Sequence, residues 1–512
     1  MSAADNSVHP GTRLSWRYRV YAIALAALGS VPVAWALWAS MYQGQAHSFD
    51  AMLYARSLWG IGHGVPLNSV VDVHAMAIHG HFGLYVLSPF TWFFRAVDVL
   101  LVAQVATYFL CNLLVITAAM QVWRAPEAAL DESVDTVDNA RSVSVIGACM
   151  ALFLAANPLW TNPFTFDVRP DMLGALPVVY GTLRLWKRGL SDRLGLAALI
   201  SSVLMREEFA MLVVATLLLW PGRPWSQHRR ERLIGSAIAL GYWALYWFAL
   251  RHWFGGDLAE ARVQGAATTL LGGTTGFLMD FARNLGWKLE ILLAWLLGGG
   301  GLALVGWRWA GGSLPGLAMV LAMNRMAQKV ITFHYAIFGS AALPVAMVEG
   351  ARRLASWPAA RRRAVLLTGV VCSAGIGFLS NPAWPGQRRE AIYVSAEAAQ
   401  GAGMSLLAPA LACVPNGTGL IVPYHFAAPL ADREHLYRAD DMANVPVSEW
   451  PPEVQVVLML HRQVNPIREQ VVAQRWRLTG QRGVLQFWAR DPDVQNQLGF
   501  CLTALARTTA GD

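Results

Sequence analysis

Long apolar runs limit what this chain can fold into more than any other feature of its sequence. The first run, from about Val20 to Met41, follows Arg13, Arg17 and Arg19 and matches the roughly 20 residues needed to cross a bilayer. It is too long for the core of a cleaved signal peptide, so we expect an uncleaved first helix. Similar runs recur as far as residue 380, which indicates that lipid surrounds most of the chain.

The composition agrees with a lipid environment. Hydrophobic residues make up 55% of the 512 residues and charged residues only 14%, with a mean hydropathy of +0.39, whereas a soluble domain carries roughly 25% charged residues. This excludes a soluble enzyme. The net charge of +8 is what basic cytoplasmic loops produce in a membrane protein, so we expect no nucleic-acid partner.

Hydropathy predicts an α-helical membrane protein of about eleven spans. The N-terminus is predicted to lie inside, because the loops that are then cytoplasmic hold more Arg and Lys than the outer loops. The predicted domains are a cytoplasmic segment 1–19, a transmembrane domain 20–380 with a long first outer loop 42–97, and an extracytoplasmic soluble α/β domain 381–512. After the first helix, the predicted helices cover 98–120, 143–160, 171–186, 194–205, 209–220, 233–250, 289–306, 313–324, 331–349 and 364–380.

Two assignments have an alternative. The stretch 82–94 could cross the membrane by itself, although Pro89 favours a partly embedded segment of the first outer loop. The run 194–220 could be one helix that buries Arg206, Glu207 and Glu208, but a hairpin with this charged triplet at an outer turn avoids bare charges in lipid and is favoured.

The tail predicts short elements of a soluble domain. These are a helix near Arg388–Gln400, strands at Gly419–Val422 and Val454–Leu460, and a hairpin Trp476–Trp488 that turns at Gly480–Gly483.

Two of the five cysteines, Cys413 and Cys501, lie in this tail. An extracytoplasmic pair can form a disulfide, but two buried free thiols are the favoured interpretation.

The first outer loop concentrates groups that titrate near neutral pH or bind metals. Asp50 lies at the start of a helix-like run, where it either carries out chemistry or only stabilises the helix start. His74, His79 and His81 could bind a metal, but they lack the spacing of a helical His pair, and interfacial hydrogen bonding is favoured.

Three further charged groups lie at predicted outer positions, namely Phe166–Asp171, Arg206–Glu208 and His334. In one interpretation Asp167 neutralises Arg169 and Asp171 caps a helix; in the other, these charges bind a ligand. Because charges in lipid are costly, we expect the groups to meet in one outward cavity. The predicted site has Asp50 as the catalytic group and His81, Asp167, Arg169, Asp171, Arg206, Glu207, Glu208 and His334 as substrate-binding residues.

Several blocks resemble a bacterial membrane family known as domain of unknown function 2079. The resemblance covers roughly Tyr42 to Arg490, and only Arg169 departs from it, because a histidine is expected after the Phe-Asp pair. The blocks are Ser48–Tyr54, His81-Phe82, Ser88-Pro89, Phe166–Asp171, Arg206–Glu208, His334-Tyr335, Val422–His425 and Ala431–Tyr437.

That family is similar to the C-type (GT-C) glycosyltransferases, which have many membrane helices and an acidic residue near the start of a long first outer loop, and which use lipid-phosphate-linked sugars. The resemblance implies a GT-C-like fold, a polyprenyl-phosphate sugar donor held at the membrane lipid, and Asp50 as the catalytic carboxylate. Arg169 or Arg206 would then steady the departing phosphate.

A transporter or a non-enzymatic cell-envelope protein is the competing class. A transporter should show internal repeats and broken helices near the membrane midplane, and no repeat is visible, which favours a transferase. The sequence predicts no particular cofactor, metal or oligomeric state.

Overall fold

The computed structural model describes most of the chain, and its longest helices are apolar. Within the part of the chain that the structure describes, three helices are long and apolar enough to cross a membrane: Trp16–Tyr42, Ala96–Arg124 and Trp225–Trp253. A fourth crossing exists if the pair Arg141–Ala156 and Pro158–Phe166, bent by 55°, is one span. The count of about eleven spans and the domain boundaries stay predictions. The described residues are 14–42, 50–70, 73–128, 137–221, 225–255, 285–322, 336–380, 407–415, 417–423, 426–460, 466–482 and 485–509.

The helices up to residue 380 account for most of the described structure. In chain order they are α1 (Trp16–Tyr42), α2 (Asp50–Gly62), α3 (Ala75–Ile78), α4 (Gly83–Leu87), α5 (Ala96–Ala128), α6 (Val137–Ala156), α7 (Pro158–Phe166), α8 (Ala175–Arg188), α9 (Arg193–Ser201), α10 (Phe209–Leu218), α11 (Arg229–Leu245), α12 (Arg251–Trp253), α13 (Leu285–Leu297), α14 (Leu302–Val305), α15 (Leu314–Ala322), α16 (Ala336–Ser340), α17 (Leu343–Ala355) and α18 (Ala359–Ser380). A two-stranded ribbon, β1 (Leu67–Asn68) with β2 (Val73–His74), precedes α3.

Helix α1 shows how these elements use lipid and protein contacts. Ala22, Ala26, Val33 and Leu37 are buried at helical spacing, and α1 packs against α5 and α6. Trp35, by contrast, is 63% exposed. A helix with one apolar face in the core and a second apolar face outside is what a lipid solvent selects.

The charged triplet at 206–208 separates two short helices. Helix α9 continues into a 3₁₀ turn, Ser202–Leu204, and α10 begins at Phe209, so the alternative of one long helix over 194–220 is not found. The stretch 82–94 forms only α4 and a 3₁₀ turn, Ser88–Trp92, and each is too short to cross a bilayer.

The predicted helix 289–306 is also interrupted. Helix α13 ends at Leu297, and a glycine turn follows in which Gly300 and Gly301 have φ values of 63° and 73°. Residues with side chains rarely adopt this left-handed backbone, so glycine permits the break.

The tail forms a five-stranded mixed sheet with the order β4-β3-β5-β7-β6. Strand β3 is parallel to β4 and β5, whereas β7 is antiparallel to β5 and β6. The predicted helix near 388–400 lies outside the described residues. The elements are α19 (Leu407–Ala412), β3 (Gly419–Val422), β4 (Leu436–Arg438), α20 (Ala439–Met442), β5 (Val454–Leu460), α21 (Pro466–Ala473), β6 (Arg477–Arg482), β7 (Leu485–Ala489) and α22 (Pro492–Thr509).

Two expectations for the tail are wrong. Cys413 and Cys501 form a disulfide that ties α22 to the residues after α19, so they are not free thiols. Gly480 does not begin the turn of the hairpin, because it lies within β6 at an irregularity in the register and β6 continues to Arg482, which pairs with Leu485.

Hydrogen bonds join this sheet domain to the segment predicted to be the first outer loop, residues 42–97. Nη2 of Arg56 in α2 donates to the Glu434 carbonyl at 3.0 Å, and Oγ of Ser69 donates to the Leu436 carbonyl at 3.1 Å. The backbone N–H of Ala96 donates to Oδ1 of Asp432 at 3.0 Å. The segment Asp432–Leu436 therefore forms one wall of the region around α2.

Candidate functional site

Asp50 is the first residue of α2, and it pairs with an arginine from a distant part of the chain. Nη1 of Arg169 donates to Oδ2 of Asp50. The Asp50 side chain is 19% exposed, whereas the Arg169 side chain is only 2% exposed. A carboxylate in the first turn of a helix is also favoured by the helix dipole. Asp50 is thus an anchored carboxylate that a ligand can still reach.

From Arg169 the pairing continues through alternating charges. Nε of Arg169 donates to Oδ1 of Asp171 at 3.1 Å, and Nη1 of Arg206 donates to Oδ2 of the same carboxylate at 2.6 Å. Arg206 then makes two bonds to Glu208, at 2.8 and 3.1 Å. We call the five residues Asp50, Arg169, Asp171, Arg206 and Glu208 the charge chain.

The interior of the charge chain is buried. The side chains of Asp171 and Arg206 are 0% and 1% exposed, and charges at such positions need partners because desolvation is costly. Burial disfavours the charged form of Arg169, but the carboxylates of Asp171 and Asp50 more than offset this effect and raise its pKa. Arg169 therefore stays cationic beside Asp50.

Local structure fixes the segment that carries Arg169 and Asp171. The side-chain amide of Gln104 in α5 donates to the carbonyls of Phe164 and Asp167, at 2.9 and 3.0 Å, and its oxygen accepts the backbone N–H of Arg169 at 2.7 Å. This segment approaches α10 closely, because a Cβ placed on Gly174 would lie 2.4 Å from the Phe209 ring. Glycine at 174 thus permits the charged turns before α8 and α10 to meet.

Asp167 contacts helix α1, whereas one interpretation of the sequence paired it with Arg169. Its Oδ1 accepts a hydrogen bond from Oγ of Ser40 in α1 at 3.3 Å. Arg169 pairs with Asp50 and Asp171 within the described part of the chain, so the interpretation in which Asp167 neutralises Arg169 and Asp171 serves as a cap is wrong.

His81 lies beside the charge chain. Its ring packs edge-on against Tyr54 with ring centroids 4.9 Å apart, and the residue is 1% exposed. Burial, with the neighbouring His79, lowers its pKa well below 6.5, so the imidazole is neutral. Its Nε2 is buried without a hydrogen-bond partner among the residues that the structure describes.

A second group of ligand atoms surrounds Glu207. Nδ1 of His79 donates to its Oε1 at 2.7 Å, and the Gly80 N–H donates to its Oε2 at 3.0 Å. Burial raises the Glu207 pKa. Ligand atoms of His79, Glu207 and Glu208 all lie within 4.8 Å of one another, so these residues could hold a metal ion. His74 instead caps α3 through the Met76 N–H.

The structure thus brings Asp50, Arg169, Asp171, Arg206 and Glu208 into direct contact, with His81 and Glu207 beside them, while His334 lies outside the described residues. Sequence reasoning missed Tyr54, whose hydroxyl accepts a hydrogen bond from Nη2 of Arg169 at 3.4 Å. Its position four residues after Asp50, on the same helix face, was an available signal.

Apolar helices and a charge chain that is buried in its interior and partly exposed at its two ends, Asp50 and Glu208, define a helical membrane protein with a polar site. The family model "Predicted membrane protein (DUF2079)" matches residues 41–482. The chain belongs to this family, as the sequence blocks indicated.

Comparisons with other known proteins are less specific. None of the curated proteins matches. The apo structure of ArnT from Cupriavidus metallidurans is similar at 12% identity, covering 93% of this chain and 99% of that one, with a TM-score of 0.47. The same protein bound to undecaprenyl phosphate gives 12% identity, coverage of 94% and 99%, and a TM-score of 0.39. Scores below 0.5 do not establish a common fold.

Proposed function

We propose that this protein is a GT-C-type glycosyltransferase, which moves a sugar from a polyprenyl-phosphate donor to an acceptor hydroxyl at the outer face of the cytoplasmic membrane. One observation carries the proposal: Asp50 is a partly exposed carboxylate at one end of a charge chain whose interior residues are buried. Buried charge in a membrane protein is costly and is retained mainly for function.

The proposed chemistry is an inverting displacement. Asp50 accepts the proton of the acceptor hydroxyl as the oxygen attacks the anomeric carbon of the sugar. The bond from that carbon to the phosphate oxygen breaks, and polyprenyl phosphate leaves with the electron pair. Arg169 and Arg206, held in place by Asp171, supply fixed positive charge beside Asp50 that favours the departing phosphate.

The neighbouring polar groups would bind the sugar and phosphate. The buried Nε2 of His81 can hydrogen-bond a ligand oxygen, since it has no partner in the described ranges. Substrate-binding roles for Asp167, Glu207, Glu208 and His334 are also part of the proposal.

The outer location of the site has separate support. A disulfide persists in an oxidising compartment and is rare in the cytosol, and Cys413–Cys501 lies in the domain that packs on the first outer loop. We therefore infer that the inner membrane holds the helices and that the sheet domain lies on the extracytoplasmic side, where a lipid-linked sugar would meet it.

Asp50→Asn tests the chemistry. The amide keeps the size of the side chain and one acceptor oxygen but cannot take the proton, so transfer should fall by about 10²–10⁴-fold with little change in donor binding. The assay measures sugar transfer from polyprenyl-phosphate donors by protein in reconstituted membranes. Asp98→Asn, which changes an acid paired with Arg95 at the surface, is the matched control and should keep its activity.

Substitution of Arg206 by Gln should behave differently. Its guanidinium is in place before and during phosphate departure, so both donor affinity and turnover should fall.

Full activity in Asp50→Asn would remove Asp50 from the chemistry. Absence of turnover with every polyprenyl-phosphate donor in the unmodified protein would favour a transporter or envelope protein.

A further inference from the structure

A cavity of about 840 Å³ lies between the first outer loop and the sheet domain. Its volume falls within the range of about 300–1,000 Å³ that is typical of ligand sites. Arg56 in α2, Leu67 in β1 and Ser69 form the loop side, and residues from Glu434 to Glu453 form the opposite side. The cavity is therefore built by two parts of the chain that are far apart in sequence.

Arg56 is the most buried charge of this cavity, since the residue is only 1% exposed. Its Nε donates to Oγ of Ser69 at 3.3 Å, and its Nη2 donates to the Glu434 carbonyl at 3.0 Å. The guanidinium carbon lies 4.4 Å from the centre of the Trp59 ring. Nη1 is buried and has no hydrogen-bond partner among the described residues.

These partners are all uncharged, which distinguishes Arg56 from the arginines of the charge chain. Arg169 and Arg206 each contact two carboxylates. Within the described ranges, no carboxylate oxygen lies within the 4.0 Å of an ion pair with Arg56. Burial lowers the Arg56 pKa to about 10, and the more distant charges of Glu434 and Asp432 oppose this only in part.

An unpaired buried cation is costly unless something neutralises it. Two acids of the wall have other partners, because Arg438 pairs with Asp441, and Glu453 accepts a hydrogen bond from Tyr437 at 2.5 Å. The third, Glu434, acts on Arg56 only from beyond ion-pair distance. Among the described residues, Arg56 thus keeps one N–H without a hydrogen-bond partner and a charge that Glu434 and Asp432 offset only in part, at the edge of an open cavity.

We propose that this cavity binds an anionic sugar derivative, whose phosphate or carboxylate group pairs with Arg56. The walls suit such a ligand, because Val70, Met442 and Pro451 offer apolar contact to a sugar ring. Two of the three wall carboxylates, Asp441 and Glu453, already pair with Arg438 and His435. The site is separate from the charge chain.

Helix geometry relates the two sites. Arg56 lies six residues after Asp50 on α2, which corresponds to about 9 Å along the helix axis and a rotation of about 120° away from the face of Asp50. A ligand of two or three sugar units can span such a distance. The identity of the bound molecule as the acceptor rests on the proposed function. The acceptor would be anchored by its anionic group while one of its hydroxyls reaches Asp50.

A cysteine placed in the cavity reports its occupancy without reference to the other site. Leu67 lines the cavity and is 51% exposed, so Leu67→Cys should react with a maleimide. The protein with Leu67 intact gives the background from its native thiols. Glucose 6-phosphate and glucuronate serve as the anionic probes, and glucose serves as the neutral one.

We expect the anionic probes to slow labelling of Leu67→Cys, and glucose to have no effect at the same concentration. Adding Arg56→Met should raise the half-protecting concentration by about 10- to 100-fold, because one charge-assisted interaction is lost. Arg490→Met, which removes an exposed arginine from the same domain, should leave it unchanged.

Protection by one anionic probe alone would identify phosphate or carboxylate as the group that binds. Equal protection in the Arg56→Met and Arg490→Met backgrounds, or equal protection by glucose, would overturn the proposal, as would labelling that no probe slows. Because labelling requires no turnover, these outcomes are independent of whether the protein transfers sugar.

Discussion

The centre of the charge chain should be its most sensitive position for stability. Asp171 is fully buried and accepts hydrogen bonds from both Arg169 and Arg206. Asp171→Asn leaves the volume almost unchanged but removes the negative charge between two buried guanidiniums. Each arginine retains one carboxylate, Asp50 or Glu208, so the loss concerns two charge-assisted bonds rather than the whole network.

The expected loss in the free energy of unfolding follows from the bonds of Asp171 to the two arginines. A hydrogen bond to a charged group contributes about 1.5–3 kcal/mol, and removing one partner from a buried ion pair costs about 3–5 kcal/mol. We therefore expect Asp171→Asn to lower the free energy of unfolding by about 3–5 kcal/mol. Asp98→Asn should cost less than about 1 kcal/mol, because the Asp98 and Arg95 side chains are 37% and 50% exposed. The amide oxygen of Asn can still accept the hydrogen bond that the Tyr42 hydroxyl donates to Asp98.

The measurement is fluorescence-monitored unfolding of both variants in the same detergent micelles, with the unmodified protein as reference. Asp50→Asn provides a second comparison. Because the Asp50 side chain is partly exposed, this substitution should lower the free energy of unfolding less than Asp171→Asn does. If Asp171→Asn unfolds at the same denaturant concentration as Asp98→Asn, the charge chain does not stabilise the fold in the way argued here.

Two further predictions concern pH and the disulfide. The folded-state pKa of His81 lies below its unfolded value of 6.5, so the unfolded chain binds the proton first and stability is lost as the pH falls through 6.5, by about 1.4 kcal/mol in total between pH 7.5 and 5.5. Melting temperatures at pH 7.5 and 5.5 should differ less in His81→Asn than in the unmodified protein, and an equal difference would contradict this. Removing the disulfide by Cys413→Ser with Cys501→Ser opens a link across 88 residues and should destabilise the sheet domain by about 4 kcal/mol; limited proteolysis should then cut within 407–509 first, and an unchanged digestion pattern would refute it.

Local sequence patterns predicted the tail strands well. Val454–Leu460 and Gly419–Val422 have the predicted bounds, since short apolar runs that contain Val and Ile and lie near Pro or Gly favour strands. Gly480 misled the prediction of the turn, because glycine also marks irregularities inside a strand. The disulfide depends on how α22 approaches the residues after α19, which local patterns do not record.

The candidate site shows the same limit. The cost of charge in lipid predicted that Asp50, Arg169 and Arg206 would gather. It did not predict that Asp171 rather than Asp167 would pair with the arginines, although each lies two residues from Arg169. Gln104 of helix α5 hydrogen-bonds the Asp167 carbonyl and the Arg169 N–H, and so fixes the backbone between these two residues. This contact joins distant parts of the chain, which local patterns do not record.

The hydrogen bonds between Asp432–Leu436 and the first outer loop make the sheet domain a poor candidate for exchange between relatives. A chimera joined near residue 380 would cut no element of the sheet, yet it would remove the carbonyl that satisfies Arg56 and the carboxylate that accepts the Ala96 N–H. Grafts should therefore succeed only when the first outer loop and the tail come from the same parent, so the two segments should be inherited as one unit.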